Sequence, residues 1–208
     1  MARVKGPLMS MEASGSVGNS VTFSRWKGRP YVRRHTVPAN PKSPKQTSVR
    51  AMLRWLSQWW VSIDPADQAT WEPLAAADSI SPFNAYVRFN LARWGHALPP
   101  TKAYPPTATS TAPSAPTLTA TAGDGLINLT LAKGTNNADW GWQIHRGLAP
   151  GVTPGPDNLV DTRDYTGSGA DPWSDSPLPA GHYYYKARGL MSDGKFGANS
   201  AEVDAVVA

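Results

Sequence analysis

The chain has 208 residues, of which 40% are hydrophobic, so it is long enough for one large or two small domains with a packed core. It contains no cysteine, which excludes disulfide bonds, thiolate metal sites and cysteine nucleophiles. The first 20 residues have no apolar signal-peptide core, and no stretch reaches the roughly 18 apolar residues of a membrane-spanning helix. We therefore expect a soluble protein with no membrane partner.

The net charge of +5 is unevenly distributed along the chain. Residues 1–104 contain 14 Lys or Arg against 5 Asp or Glu, whereas residues 105–208 contain 6 against 10. Residues 1–54 carry 11 basic residues and one acid, Glu12. This asymmetry indicates two units and predicts that the basic segment lies beside a polyanion or an acidic protein surface. A basic face that is merely solvated is the alternative.

The N-terminal segment is predicted to be an arm followed by a β-hairpin. Residues 1–20 have almost no apolar side chains with which to fold on themselves, so we predict an extended arm that a partner holds in place. After it, Val21 and Phe23 alternate with polar residues, and Trp-Lys-Gly-Arg at 26–29 favours a turn. Tyr31 and Val32 then resume a β-prone run, which completes the hairpin.

Three helix starts follow, each with a capping side chain before a proline: Ser43, Asp64 and Ser81. Gln46 completes a capping box at the first of them. Apolar residues at spacings of three and four predict one buried stripe on the first helix and one on the last: Val49, Leu53, Leu56 and Trp60, then Phe83, Val87, Leu91 and Trp94. A shorter middle helix offers Trp71 and Leu74. Residues 21–97 are thus predicted to form one basic domain of a hairpin and about three helices.

Trp55 and Trp59 lie four residues apart on a second face of the first helix. A helix with aromatic residues on two faces is either buried all round or packed against another subunit. We predict the subunit contact, because a unit of about 55 residues has little interior in which to bury both faces.

Residues 98–115 are predicted to be a linker. Six prolines occur in residues 99–116, separated by small polar residues. Proline interrupts helices and cannot donate to a sheet, so this composition favours an extended polyproline-type spacer.

Beyond the linker the apolar period changes to two, which predicts short antiparallel strands and a β-sandwich over residues 116–208. The sequence Leu-Pro-Ala-Gly-His-Tyr-Tyr-Tyr-Lys-Ala-Arg at 178–188, with Pro-Thr-Leu at 116–118 and the Gly-Asp-Gly turn at 123–125, resembles the fibronectin type III family. The resemblance implies a corner in which a tyrosine hydroxyl bonds to nearby backbone. Alternation selects Tyr183 for that corner and directs Tyr184, Lys186 and Arg188 to solvent.

The N-terminal half has its own resemblance. Gly-Ser-Val-Gly at 15–18, Trp-Lys-Gly-Arg-Pro-Tyr-Val-Arg at 26–33, Asn-Pro at 40–41 and Pro-Phe-Asn-Ala-Tyr at 82–86 are similar to small proteins of unassigned role encoded by bacteriophages and prophages. That resemblance implies no activity. An appended fibronectin-like domain is, by analogy, common in the virion proteins of tailed phages.

The residue patterns do not predict a catalytic, metal or cofactor site. The four histidines stand isolated: His35, His96, His145 and His182. Five acids cluster in a Gly/Pro-rich stretch but lack calcium-loop spacing, and we interpret them as solvated loop residues: Asp157, Asp161, Asp164, Asp171 and Asp175. We therefore expect no enzyme and no cofactor.

The predicted fold class is an α+β N-terminal unit followed by an all-β fibronectin type III-like sandwich. The predicted function is a bacteriophage virion structural protein, a capsid decoration or a neck or tail accessory, made in the host cytoplasm. Its N-terminal half would anchor it to other virion proteins, as a homo-oligomer or lattice, while the sandwich projects outward. The predicted partner-binding residues are Arg25, Trp26, Lys27, Arg29, Tyr31, Arg33, Arg34, Trp55 and Trp59.

Two alternatives remain open from the sequence. The basic hairpin would also suit a nucleic-acid-binding protein that tracks phosphates. A carbohydrate-binding adhesion module is the third possibility, in which the sandwich stacks a host-surface glycan on an exposed aromatic strip of Trp140, Trp142, Trp173 and Tyr184.

Overall fold

The computed structural model describes residues 2–3, 14–18, 20–37, 43–134, 138–164 and 170–208. It divides the chain into two compact units, Met1–Pro41 and Lys42–Ala208. The division lies ahead of the helices, whereas the sequence predicted a linker after them. The predicted fold class is confirmed, although the helices belong with the sandwich and not with the hairpin.

The N-terminal unit contains a four-stranded antiparallel sheet in the order β1-β4-β3-β2. Its strands are β1 (Ala2–Arg3), β2 (Gly15–Val17), β3 (Val21–Trp26) and β4 (Arg29–Arg34). The predicted hairpin is therefore confirmed, with Trp26 opposite Arg29 at its end. Lys27 and Gly28 form the two-residue turn with φ of 50° and 74°, the positive values that match the twist of a tight hairpin.

The predicted arm differs from the structure where residues are described. Within residues 1–20, β1 pairs with β4 and β2 pairs with β3, so both segments extend this chain's own sheet. A backbone edge accepts a strand whatever its side chains, which is why apolar content did not reveal this pairing. Residues 4–13, the middle of the predicted arm, lie outside the described residues.

Four helices open the second unit: α1 (Pro44–Trp60), α2 (Pro65–Ala69), α3 (Glu72–Asp78) and α4 (Pro82–Gly95). Asp64 and Ser81 cap α2 and α4 through their side chains, as predicted. Ser43 makes no side-chain cap bond, so the predicted capping box is wrong. The predicted middle helix is two helices, because Pro73 suits the first turn of a new helix better than the interior of a continuing one.

The buried face of α1 includes only the second half of the predicted stripe, in which Leu56 is buried and Trp60 is partly buried. Val49 and Leu53 are 44% and 40% exposed, whereas Met52, Trp55 and Leu56 are buried. Both faces of this helix are apolar enough to be buried, so its partner decides which one is covered. That partner is the outer surface of the C-terminal sandwich.

The sandwich consists of two antiparallel sheets, ordered β5-β6-β9 and β11-β10-β7-β8, with β12 also pairing with β10. Its strands are β5 (Thr117–Gly123), β6 (Leu126–Ala132), β7 (Gly141–Gly147), β8 (Leu159–Asp164), β9 (Ala170–Asp175), β10 (Gly181–Leu190), β11 (Phe196–Asn199) and β12 (Val203–Val207). Inward residues of both sheets, including Ile127, Leu129, Ile144 and Tyr185, form one core. This arrangement matches the predicted fibronectin type III-like sandwich.

The tyrosine corner is confirmed at Tyr183. The Tyr183 side chain is buried, and its hydroxyl donates to the Pro179 carbonyl oxygen at 2.8 Å. The neighbouring Tyr184 is only partly buried, and its hydroxyl contacts His182 Nδ1 at 3.1 Å on an exposed surface. Alternation along β10 therefore assigned these two tyrosines to the correct faces.

We expect the Tyr183→Phe variant of the full chain to lose about 1 kcal/mol of unfolding free energy, because the buried Tyr183 side chain loses its hydrogen bond to the Pro179 carbonyl oxygen. Urea denaturation followed by circular dichroism measures the loss. Tyr184→Phe is the matched control and should change the unfolding free energy little, since its partner can bond to water. Equal losses in the two variants would contradict the corner assignment.

The helices pack directly on the outer face of the β11-β10-β7-β8 sheet. Trp55 of α1 lies 4.4 Å, between ring centroids, from Trp140, the residue before β7. A second apolar core joins these residues to Met52 and Leu56 of α1 and to Leu190 of β10. The helices and the sandwich are therefore one folded unit with two cores.

Arg188 of β10 was predicted to face solvent but is buried beneath this helical layer. Its Nε donates to Gln143 Oε1 at 2.9 Å, and its guanidinium carbon lies 3.4 Å from the Phe196 ring centroid. Burial lowers the pKa of Arg188 to about 10. Alternation correctly placed Arg188 on the outer face, but only the packed helices turn that face into an interior.

The predicted linker is packed against the same unit. Thr101 is 1% exposed and receives a hydrogen bond from Asn90 of α4. The Lys102 and Ala108 amides donate to the carbonyl oxygens of Ser192 and Asp193, which precede β11. The prolines still prevent a helix or strand, but the remaining donors and an aromatic ring, Tyr104, attach the segment to the fold. The predicted linker is therefore an ordered segment packed against the second unit, and not an extended spacer.

Candidate functional site

The N-terminal sheet separates the predicted hairpin residues onto two faces. Opposite residues of an antiparallel pair share a face, and the pairs Trp26 with Arg29 and Ser24 with Tyr31 lie on one side. Arg33, paired with Thr22, extends the same side. We call this side the basic face, defined by Trp26, Arg29, Tyr31 and Arg33. It combines the two side-chain types, aromatic and Arg, that are enriched at protein interfaces.

The other side of the sheet carries a small apolar patch. Phe23 pairs with Val32, and Val21 pairs with Val17 on the neighbouring strand, so these four side chains lie together. We call this the apolar face; Arg25 and Arg34 flank it on the same side of the sheet. The two arginines were among the predicted partner-binding residues, whereas Val21, Phe23 and Val32 were predicted only as strand residues and Val17 was not predicted at all.

The turn presents the most accessible aromatic residue of this unit. Trp26 is 69% exposed, and Lys27 Nζ lies 5.1 Å from the centroid of its ring. The positive φ of both turn residues holds the end of the hairpin in a fixed shape. The turn therefore holds Trp26 in position, and most of the apolar surface of its ring is exposed to solvent.

The sheet has no interior among the described residues of its unit. Positions 14–18 and 20–37 contain partly buried and exposed residues but no fully buried one. They also contain five basic residues and no acid. A sheet normally gains stability by burying one face against another layer. Both faces thus have apolar or aromatic area that a partner surface could cover.

No protein-family model and no curated protein matches the chain. Among solved structures, it is similar to a β-1,2-glucanase from Parabacteroides distasonis (20% identity, TM-score 0.37), covering 47% of this chain and 13% of that one. It is similar to an Fn3-like protein from Clostridium thermocellum (25% identity, TM-score 0.35), and the match covers 47% of this chain and 94% of that one. It is also similar to the PKD domain of an M14-like peptidase from a Thermoplasmatales archaeon (17% identity, TM-score 0.31), and the match covers 48% of this chain and 98% of that one.

Trp55 and Trp59, predicted to contact a partner, face the inside of the second unit. Trp55 is 2% exposed, and Trp59 is partly buried with its ring centroid 6.2 Å from that of Trp140. The indole N–H groups of both donate to one carboxylate oxygen of Asp164. The second aromatic face of α1 therefore meets a sandwich of the same chain, so the prediction of an intersubunit role for Trp55 is wrong.

The acids predicted to be solvated loop residues lie mostly on strands with basic or hydrogen-bonding partners. Asp161 pairs with Arg54, and Asp175 accepts from Arg146 at 2.6 Å and from the Tyr185 hydroxyl at 2.9 Å. Asp157 and Asp164 are exposed, as predicted for the group, although Asp164 lies on β8 and accepts from two indole N–H groups. Within the described part of the chain, no group of three or more His, Asp or Glu could hold a metal ion. None of the helices described is long and apolar enough to cross a membrane.

Proposed function

We propose that this chain is a non-enzymatic structural protein of a bacteriophage particle, attached to other particle proteins through its N-terminal sheet. The single observation that carries the proposal is a sheet with no buried residue among its described positions 14–18 and 20–37, in which Trp26 and Tyr31 stand beside Arg29 and Arg33. Buried aromatic and Arg anchors dominate the energy of protein interfaces. The resemblance of residues 15–18 and 26–33 to phage-encoded proteins supports the particle as the setting.

A protein surface fits both faces of the sheet better than a nucleic acid does. The basic residues are divided between the two sides, and the apolar face of Val17, Val21, Phe23 and Val32 needs apolar cover. Phosphates supply charge but no such cover. An acidic protein surface with an apolar centre supplies both, and a ring or lattice of copies places each sheet beside neighbouring proteins.

The second unit is suited to project from such an assembly. Its helices and sandwich complete two cores without the N-terminal sheet. Residues 43–208 carry 12 basic residues against 14 acids, a net charge of −2, so the attraction to an acidic surface is concentrated in the first unit. The location follows from this proposal: the protein is part of the virion after synthesis in the host cytoplasm.

The proposal is tested by incorporation of epitope-tagged chains into particles. The double variant Arg29→Glu/Arg33→Glu should reduce the amount that sediments with purified particles at least tenfold, because reversed charges face the acidic partner. Trp26→Ala should cause a similar loss through the missing aromatic anchor. Lys133→Glu, an exposed reversal on the second unit, is the matched control and should incorporate like the unchanged chain.

Two results would contradict the proposal. Unchanged incorporation of both sheet variants would show that the sheet is not the attachment surface. Tight binding to random duplex DNA that falls log-linearly with salt, and that is lost in the Arg29→Glu/Arg33→Glu variant, would assign the basic face to nucleic acid instead.

A further inference from the structure

A groove lies along one edge of the sandwich. All of its lining residues belong to the second unit. β8 and β9 are the outer strands of their respective sheets, and α1 packs over β8. A depression of about 540 Å³ lies between α1, β8 and Trp173 of β9. A second, of about 320 Å³, lies beside β6 and β9. Arg163 and Trp173 line both, so the two depressions adjoin at these residues, and we call the two together the groove.

Trp173 stands at the junction of the two depressions. It pairs across the sheet with Leu129 and packs partly against the sandwich core, which fixes its position. The rest of the ring is accessible, because Trp173 is only partly buried. In the predicted aromatic strip, Trp140 and Trp142 are buried, whereas Trp173 keeps part of its ring exposed in the groove.

The groove around Trp173 is lined by both hydrogen-bond donors and hydrogen-bond acceptors. Arg54, Gln58 and Arg163 supply donors, and Asp161 and Asp164 supply acceptors. Arg54 pairs with Asp161, while Arg163 lies 3.5 Å from Asp171, so the groups are held in place by one another. The lining of the larger depression contains two arginines and two aspartates, so it is balanced in charge.

We propose that this groove binds a neutral oligosaccharide, with one sugar ring stacked on Trp173. An indole face packs against the C–H face of a pyranose ring, and paired Arg, Gln and Asp side chains match hydroxyls that both donate and accept. The balanced charge favours a neutral sugar over a uronic acid or a sialylated one, which would require excess positive charge. The groove is independent of the attachment surface, so either proposal can fail without the other.

The test is calorimetric titration of the full-length protein with four neutral hexasaccharides, of maltose, cellulose, chitin and β-1,2-glucan type. At least one should bind, and Trp173→Ala should weaken that binding about tenfold or more, because the stacking surface is lost. Gln58→Ala should weaken it several-fold; Gln58 is exposed on α1, so this variant should fold normally. Trp26→Ala removes a tryptophan outside the groove and should leave the affinity within about twofold of the unchanged protein.

Three outcomes would overturn the proposal. One is the absence of binding to all four hexasaccharides at millimolar concentration. Another is binding that neither Trp173→Ala nor Gln58→Ala weakens. The third is stronger binding of oligogalacturonate or sialyllactose than of any neutral probe, which would assign the groove to an anionic ligand.

Discussion

Replacing Trp140 by alanine is expected to lower the unfolding free energy of the full-length chain by about 3–5 kcal/mol. Trp140 is 0% exposed and lies between the sandwich and α1, with the Trp55 ring centroid at 4.4 Å and the Trp59 ring centroid at 6.2 Å. Its removal leaves a cavity that these rigid rings cannot fill. Urea denaturation monitored by far-ultraviolet circular dichroism measures the change.

Trp26→Ala is the matched control for this substitution. Trp26 is 69% exposed, so the same change there should alter the unfolding free energy by less than about 0.5 kcal/mol. In the Trp140→Ala variant, loss of helix and loss of strand should occur in one transition, because helices and sandwich share the disrupted core. A mild effect, or a helical layer that melts long before the sandwich, would contradict the packing of α1 on the sheet.

The second large expected effect is a loss of stability in acid that originates at His145. His145 is 0% exposed beneath the helices, and its Nδ1 lies 2.9 Å from Asn158 Oδ1. Burial, and then the positive charge of Arg188, lower the pKa of His145 to about 3. In the unfolded chain a histidine titrates near its ordinary value of about 6.5.

The direction of the pH effect on stability depends on whether the folded or the unfolded chain binds the proton. Between pH 6.5 and 3 the unfolded chain takes up a proton at His145 that the folded chain does not, so acid favours unfolding. The stabilisation is complete above about pH 6.5 and is lost as the pH falls toward 3. We expect a contribution on the order of 3 kcal/mol to the difference in unfolding free energy between pH 7 and pH 4.

Comparing His145→Gln with His96→Gln isolates this contribution from that of the carboxylates. Unfolding free energies at pH 7 and pH 4 are measured for both variants and the unchanged chain. The His145→Gln variant should lose less stability between the two pH values, whereas His96→Gln, on an exposed residue, should keep the full dependence. The same pH dependence in all three proteins would exclude His145 as its source.

Features set by contacts between near neighbours could be predicted from the sequence. The hairpin depends on alternation through Val21 and Phe23 and on a two-residue turn in which Gly28 adopts a positive φ at no steric cost. The corner depends on Tyr183 and a carbonyl oxygen four residues earlier. In both cases the partners are so close along the chain that local geometry leaves few alternatives.

The candidate surfaces were only partly predictable. The basic residues of the hairpin and the accessible Trp26 followed from the sequence, but the separation of Arg25 and Arg34 from Arg29 and Arg33 became clear only with strand register. Trp173 was named in the predicted aromatic strip, but the groove around it could not be predicted, because it joins Gln58 and Arg54 of α1 to strands more than 100 residues later. Sequence spacing does not determine which helix covers which strand.

By itself, the sequence determined the hairpin, the helical character of the region after it, the β-sandwich, the tyrosine corner and the concentration of positive charge near the N-terminus. Only the tertiary structure decided that α1 buries Met52 and Trp55 instead of Val49 and Leu53, and that Arg188, on an outward strand face, lies in an interior. Periodicity identifies apolar faces, but a face becomes buried only when a matching surface meets it. For α1 that surface is built from Trp140, Leu159 and Leu190, about 100 residues away along the chain.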